Sequence, residues 1–114
     1  MNRQQAISAF WVRYVDRLKR AGVPEQLHSY YAGHVDRFIR YKGAVQLRET
    51  TPSLVYRYLD EQAVHPTCPS WRHEQLVTAL EILFVDLVQA DWARRFDWHH
   101  WKESGYKRSA TQAA

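Results

Sequence analysis

Several features common in proteins are rare or absent in this chain of 114 residues, and each absence excludes a class of protein or a kind of site. Cys68 is the one cysteine, so no internal disulfide can form, which is typical of a reducing compartment. No apolar run approaches the roughly 20 residues that cross a bilayer. Residues 1–5 also lack the apolar segment of a signal peptide. We therefore expect a soluble, cytoplasmic protein with no membrane partner.

Sequence patterns for cofactors and catalysis are also missing. The four glycines are scattered and form no phosphate-binding loop. His65 and Cys68 lack the second pair of ligands that a zinc site needs. His99 and His100, which follow Asp97, would point about 100° apart on a helix, so one face cannot use both. We expect neither a metal nor another cofactor, and no Ser/His/Asp arrangement supports nucleophilic catalysis.

The formal charge of +4 is unevenly distributed along the chain. Residues 1–42 contain eight basic residues against three acidic ones, whereas residues 43–101 contain five against eight. The segment 102–114 is basic again, with three basic residues and one acidic residue. A basic part beside an acidic part is typical of a protein with one face toward a polyanion, although ordinary solvated helix surface gives the same pattern.

Apolar residues recur at three- and four-residue steps along most of the chain, which predicts an all-α fold. We expect helices over 4–21, 24–42, 52–63 and 71–89, followed by a short fifth helix. Thr51, Ser70 and Asp91 are the expected N-caps of the third, fourth and fifth helices. The fifth helix would contain Trp92, Phe96, Trp98 and Trp101, of which Trp92 and Phe96 are expected to fold back onto the bundle. Residues 1–101 would form one domain, and 102–114 a flexible basic tail or linker.

Aromatic and aliphatic residues follow a defined order in the second, third and fourth predicted helices. The residues are Tyr31, Phe38, Ile39, Tyr41 and Gly43, then Val55, Tyr58 and Leu59, then Gln75, Ala79, Leu80, Leu83 and Phe84. This order resembles the N-terminal core-binding domain of tyrosine recombinases, the SAM-like domain of phage and integron integrases. Two positions differ from many members: Gln26 and Leu27 stand where Arg-Thr or Ser-Thr is common, and Trp71, Arg72 and His73 stand where Ser or Thr is common.

The resemblance implies a compact four-helix SAM-like bundle that holds duplex DNA and performs no chemistry. The family's catalytic residues, an arginine, a His-x-x-Arg box and a tyrosine, cannot be placed in this sequence, and Tyr106 follows no such box. We therefore expect no catalysis by this segment alone. Its expected partners are double-stranded DNA and either a recombinase catalytic domain or other integrase protomers.

The DNA contacts that the resemblance implies lie on the second and fourth helices and in the basic tail. The candidates are His28, His34, Arg37, Arg40, Lys42, Arg72, His73, Gln75, Lys107 and Arg108. Arg72 could form a bidentate pair with guanine, and Gln75 one with adenine.

Each candidate also has a plainer interpretation. An arginine on a helix is most often solvated. His34 lies close enough to the apolar stripe to be a hydrogen-bonded core histidine, and Gln75 could pair with backbone inside the bundle. Trp71 is expected to be a packing residue. The alternative function is a helical protein-interaction module whose aromatic C-terminal face, with Trp98 and Trp101, binds another protein.

Overall fold

The first helix, α1, spans Arg3–Arg20 and is held at both ends by local hydrogen bonds. In the computed structural model, which describes residues 2–64 and 70–103, Asn2 and Gln5 form a capping box with bonds of 2.8 and 3.0 Å. Gly22 adopts a left-handed conformation, with φ of 83°, just after the helix. The inward face of α1 buries Tyr14 and Leu18.

The second helix, α2, spans His28–Lys42 and is shorter than expected from the apolar pattern. The residues Glu25–Leu27 form a separate 3₁₀ turn after Pro24. The turn is closed by His28, whose Nε2 lies 2.9 Å from the carbonyl oxygen of Val23. At its other end α2 stops at Gly43, where φ is 63°. The 3₁₀ turn Leu47–Glu49 follows in the connection to the third helix.

The third helix, α3, spans Pro52–Ala63 as predicted. The Thr51 hydroxyl accepts from the backbone N–H of Leu54 at 3.3 Å, which confirms Thr51 as the N-cap. The buried side of α3 carries Val55, Tyr58, Leu59 and Ala63.

The fourth helix, α4, spans Ser70–Glu81 and continues as a π-helical segment over Ile82–Val88. A regular helix was expected through this region, but the wider turns bring Ile82, Leu83 and Phe84 all into the core. The hydroxyl of Tyr14 donates to the carbonyl of Ala79 at 2.9 Å, shortly before the wide turns begin. The segment ends at Gln89, which is left-handed with φ of 56°.

The C-terminal region is two short segments, so the expectation of one helix from Asp91 is wrong. A 3₁₀ turn at Ala93–Arg95 is followed by a break and then by helix α5 over 98–103. The cap of α5 is Asp97, whose carboxylate accepts from the backbone N–H of His100 at 3.0 Å. Trp98 closes the corner by donating from its indole N–H to the carbonyl of Ala93 at 2.9 Å.

The core joins all these elements, and no strand occurs among the residues described. Phe38 of α2 is central, with its ring 5.2 Å from that of Tyr58 and 5.7 Å from that of Phe84. Trp92 packs on Phe84 at 5.1 Å, and Trp101 meets Tyr56 edge-on at 4.9 Å. The all-α prediction is therefore confirmed, as a small helical bundle onto which the aromatic C-terminal segment folds back.

Two further expectations concern the C-terminal tail and membrane-spanning helices. Helix α5 continues through residue 103, and the Lys102 ammonium lies 3.0 Å from the Glu81 carboxylate. Most of the proposed tail, from residue 104 onward, lies outside the described residues. Within the described part of the chain, no helix combines the length and apolar character that crossing a bilayer requires.

Candidate nucleic-acid interface

A surface groove lies between α2 and the first turns of α4. Its volume is about 450 Å³. The lining residues are Ser29, Tyr30, Gly33, His34, Arg37, Trp71, Arg72 and Gln75. Four of them, His34, Arg37, Arg72 and Gln75, are among the DNA contacts predicted from the sequence. The fold thus brings together residues that are about 40 positions apart in the chain.

A chain of hydrogen bonds ties the two helices together at the base of this groove. The Nε2 atom of His34 lies 2.8 Å from Oε1 of Gln75 on α4. The Nδ1 atom of the same ring lies 3.0 Å from a terminal nitrogen of Arg37, one turn further along α2. His34 is only 3% exposed, so its ring is a structural link and the two outer side chains face the groove.

The direction of each bond in this chain follows from the chemistry of arginine. A guanidinium has donors and no acceptor, so Nδ1 of His34 must accept from Arg37. In the neutral ring the proton then sits on Nε2, which donates to the carboxamide oxygen of Gln75. This arrangement requires a neutral imidazole, because a proton on Nδ1 would displace the arginine.

The surroundings of His34 lower the pKa of its imidazole below the ordinary value of 6.5. Burial is the main cause, and the positive charges of Arg37 and Arg72 act in the same direction. The hydrogen bond to Gln75 opposes them, because that bond also stabilises the protonated ring. The net effect keeps the ring neutral at physiological pH.

This depressed pKa predicts that His34 makes stability fall as the pH is lowered. Below about pH 6.5 the unfolded chain binds a proton at this histidine that the folded chain does not. The free energy of unfolding should therefore decrease from pH 7 downward, by at most about 1.4 kcal/mol per pH unit for one proton. The loss stops once the pH lies below the folded-state pKa.

Urea unfolding of the wild type and of His34→Phe at pH 5, 6, 7 and 8 measures this contribution. The other histidines are common to both proteins, so the difference between the two pH profiles isolates His34. A pH dependence that is the same in the two proteins would show that His34 titrates alike in the folded and unfolded states.

The outer edges of the groove carry exposed cationic and aromatic side chains. Arg37 and Arg72 are both exposed. Trp71 is 66% exposed, so the expectation that it packs in the core is wrong. Tyr30, which was not predicted as a site residue, is 61% exposed on the α2 side.

Gly33 lines the groove on the α2 side. The guanidinium of Arg37 folds back over this glycine, and a Cβ atom placed there would lie 3.5 Å from Nη1 of Arg37. Tyr30, Gly33 and Arg37 are spaced by three and four residues on the side of α2 away from its apolar stripe. That spacing is the signal in the sequence that could have identified Tyr30 and Gly33.

Two predicted DNA contacts are corrected by the structure, because both side chains are inside the fold. His28 is buried and holds the carbonyl of Val23. His73 is also buried, with Nε2 2.9 Å from the carbonyl oxygen of Trp101. Both rings therefore fix the ends of helices and are not presented at the surface.

The remaining candidates lie away from the groove lining or outside the described residues. Arg40 is exposed and forms an ion pair of 3.1 Å with Asp36, an i, i+4 contact of the kind worth only about 0.3–0.5 kcal/mol. The ammonium of Lys42 donates to the carbonyls of Gly43 and Val45, so it closes the end of α2. Lys107 and Arg108 lie outside the described residues.

No cluster of three His, Cys, Asp or Glu side chains suited to a metal ion occurs among the described residues. The described lining of the groove contains two arginines, two exposed aromatic rings and no carboxylate. This lining suits an anionic ligand that also has flat apolar faces to pack against the rings. Comparisons of the chain with protein-family models, with curated proteins and with solved structures gave no match.

Proposed function

We propose that this protein binds duplex DNA through the groove between α2 and α4. The observation that supports the proposal is the convergence of Arg37 and Arg72 with exposed Tyr30 and Trp71 around one groove. Double-stranded DNA carries one negative charge per roughly 1.7 Å of its axis, so two guanidiniums on adjacent helices can each meet a phosphate or a base edge. Arg40, one turn beyond Arg37 on α2, extends this basic surface and can exchange its weak ion pair for a phosphate.

Hydrogen bonds restrain the side chains at the base of the groove before any ligand binds. Arg37 is restrained by its bond to His34, and His34 is restrained by Gln75 on the other helix. A side chain that is already ordered loses less conformational entropy on binding, which raises affinity without adding contacts. The exposed aromatic rings can pack against sugars or bases at the groove edges.

The proposal extends to the role of a core-binding domain of a tyrosine recombinase. In this small all-α bundle α2 packs on α4, and these are the two helices on which the sequence resemblance implies DNA contacts. In that role the chain supplies DNA affinity, while a recombinase catalytic domain or other integrase protomers supply the strand cleavage. The proposed compartment is the cytoplasm, which suits a chain that has one cysteine and needs no disulfide.

The alternative function, a protein-interaction module, was based on an aromatic C-terminal face containing Trp98 and Trp101, and these two side chains are buried. Trp98 and Trp101 are each only 5% exposed, because both fold back onto the bundle. Their polar groups are also engaged, through the Trp98 indole to Ala93 and the Trp101 carbonyl to His73. Trp98 and Trp101 therefore contribute to the core of the bundle.

Salt-dependent binding of a labelled duplex tests the proposal directly. Fluorescence anisotropy with a duplex of about 20 base pairs should show binding at 50 mM salt that weakens steadily up to 200 mM. The slope of log affinity against log salt should be about −0.9 for each phosphate neutralised. A protein that leaves the duplex unbound at 50 mM salt would refute the proposal.

A further inference from the structure

The imidazole of His34 lines the groove and connects its two helices, although the residue is only 3% exposed. Its Nδ1 atom lies 3.0 Å from the Arg37 guanidinium, and its Nε2 atom lies 2.8 Å from the carboxamide oxygen of Gln75. In the neutral ring Nε2 already carries the proton, because Nδ1 accepts from the arginine. A second proton can therefore enter the ring only at Nδ1.

Protonation of His34 would keep one of these two hydrogen bonds and break the other. The Nε2–H group continues to donate to Gln75, and that bond favours the protonated ring. At Nδ1 a proton turns an acceptor into a donor, so the guanidinium of Arg37, which has donors only, must move away. The two charge states of the ring thus correspond to two positions of Arg37.

The charged groups that face this ring are cationic. Arg37 on α2 and Arg72 on α4 both disfavour a further positive charge beside them. The described lining of the groove belongs to these two helices alone, contains the Tyr30 hydroxyl as its other titratable group, and includes no carboxylate. Glu74 on α4 lies outside this lining. An anion in the groove would therefore offset the positive charges beside His34.

We infer that duplex binding and protonation of His34 favour one another, with Arg37 as the group that moves between the ring and the DNA backbone. A phosphate that pairs with Arg37 and Arg72 offsets the two charges that oppose a proton on the ring. The same phosphate accepts from the guanidinium that the proton displaces, whereas in the free protein that guanidinium returns to water. This inference rests on the proposed function, because it names a regulation of the same site.

The direction of the effect follows from thermodynamic linkage. If the ring binds its proton more tightly in the complex, the protonated protein must bind DNA more tightly by the same factor. The pKa of His34, which burial and the two arginines lower in the free protein, should rise toward its ordinary value when a duplex binds. At constant salt, this effect should increase duplex affinity by about three- to tenfold between pH 7.5 and pH 5.

Nuclear magnetic resonance of protein with isotope-labelled histidine tests the inference on the unaltered chain. The ring signals of His34 are followed from pH 8 to pH 5 in the free protein and with a saturating duplex at 50 mM salt. The titration midpoint of His34 should be higher in the complex. His99 is the matched control, because it is an exposed histidine on α5 outside the groove, and its midpoint should change less. An unchanged or lower midpoint for His34 would overturn the inference.

Two variants and a control assign the effect to residues. His34→Phe removes both ring nitrogens at similar size, so its gain in affinity toward pH 5 should be smaller than that of the wild type. In Arg37→Ala the cation that competes with the proton is absent. The midpoint of His34 in this free variant should therefore be higher, and its change on duplex binding should be smaller. Arg57→Ala, which removes an arginine outside the groove, should retain both values of the wild type.

The outcomes distinguish the inference from the function on which it rests. Salt-dependent duplex binding with the same pH dependence in the wild type and in folded His34→Phe would overturn the inference and leave the proposed function standing. Absence of duplex binding at 50 mM salt, at both pH 7.5 and pH 5, would overturn both.

Discussion

Replacing Arg37 and Arg72 together with alanine is expected to weaken duplex binding by about 10- to 100-fold at low salt. The two guanidiniums come from adjacent helices and line the same groove, so both can contact one duplex. Each lost phosphate contact should also reduce the salt slope by about one. The double variant should therefore approach the wild type at high salt, where these contacts contribute least.

The matched control removes two arginines that lie elsewhere on the surface. Arg57 lines a depression beside Phe96, and Arg48 lies in a separate depression beside Phe10. The double variant Arg48→Ala with Arg57→Ala has the same net charge as the groove variant. Anisotropy titrations at three salt concentrations should show that the control binds within about threefold of the wild type. Equal weakening in both double variants would show that binding follows overall charge and not the groove.

The stability of each variant is measured beside its affinity. Exposed surface substitutions away from caps and buried networks usually change the free energy of unfolding by less than about 0.5 kcal/mol, which is the expectation for Arg72→Ala. Arg37→Ala should cost more, because Arg37 donates to Nδ1 of the buried His34. Circular dichroism and thermal melts on the three proteins verify that each is folded at the temperature of the titration.

The helices could be located from the sequence wherever a local signal marked their ends. Thr51 is such a signal, and it occupies the cap position expected of it. The π-helical segment could not be predicted in this way. Its apolar residues Ile82, Leu83 and Phe84 are consecutive, and periodicity cannot tell a regular helix touched on several sides from wide turns that bury all three.

The break between the Ala93–Arg95 turn and α5 could not be predicted from local sequence signals either. Asp91 and Asp97 are both chemically suitable N-caps, and the choice between them depends on where the aromatic residues pack. Trp98 fixes the corner through the carbonyl of Ala93, and Trp101 reaches Tyr56 on α3. Those contacts are set by the tertiary fold, so the sequence pattern alone favoured a continuous helix.

The exposed residues of the groove could be predicted from the sequence, because they lie outside the apolar stripes of their helices. The buried residues beside them could not, because their burial depends on residues far away in the chain. Arg37 and Arg72, which were predicted as DNA contacts, are polar positions on amphipathic helices, and both line the groove. His73 stands beside Arg72 in the sequence, yet its ring is buried because a carbonyl 28 positions away accepts from it. The orientation of Gln75 is likewise set by His34 on another helix, which no local pattern reveals.

Phe38→Ala is expected to destabilise the fold by about 3–5 kcal/mol. The ring of Phe38 is fully buried and meets Tyr58 of α3 and Phe84 of the π-helical segment edge-on. Its removal loses the burial of an aromatic side chain, two edge-to-face contacts and the packing around the cavity that remains. Because the free energy of unfolding of a small domain is only about 5–15 kcal/mol, this single change should remove a large part of it.

Urea unfolding followed by circular dichroism measures the effect, with Tyr30→Ala as the control. Tyr30 is an aromatic residue on the same helix but is 61% exposed, so its truncation should change stability by less than about 0.5 kcal/mol. Phe38→Leu should fall between the two, because it retains part of the buried volume. A loss below about 1 kcal/mol in Phe38→Ala would show that the contacts of this ring do not hold α2 against its neighbours.

The same two variants separate the core from the proposed interface. Phe38 does not line the groove, so below its melting temperature Phe38→Ala should bind duplex DNA with an affinity close to that of the wild type. Tyr30 lines the groove, so Tyr30→Ala should weaken binding by about threefold to tenfold while the fold stays intact. If the unstable variant lost affinity while folded and the stable one kept it, DNA would have to bind elsewhere on the molecule.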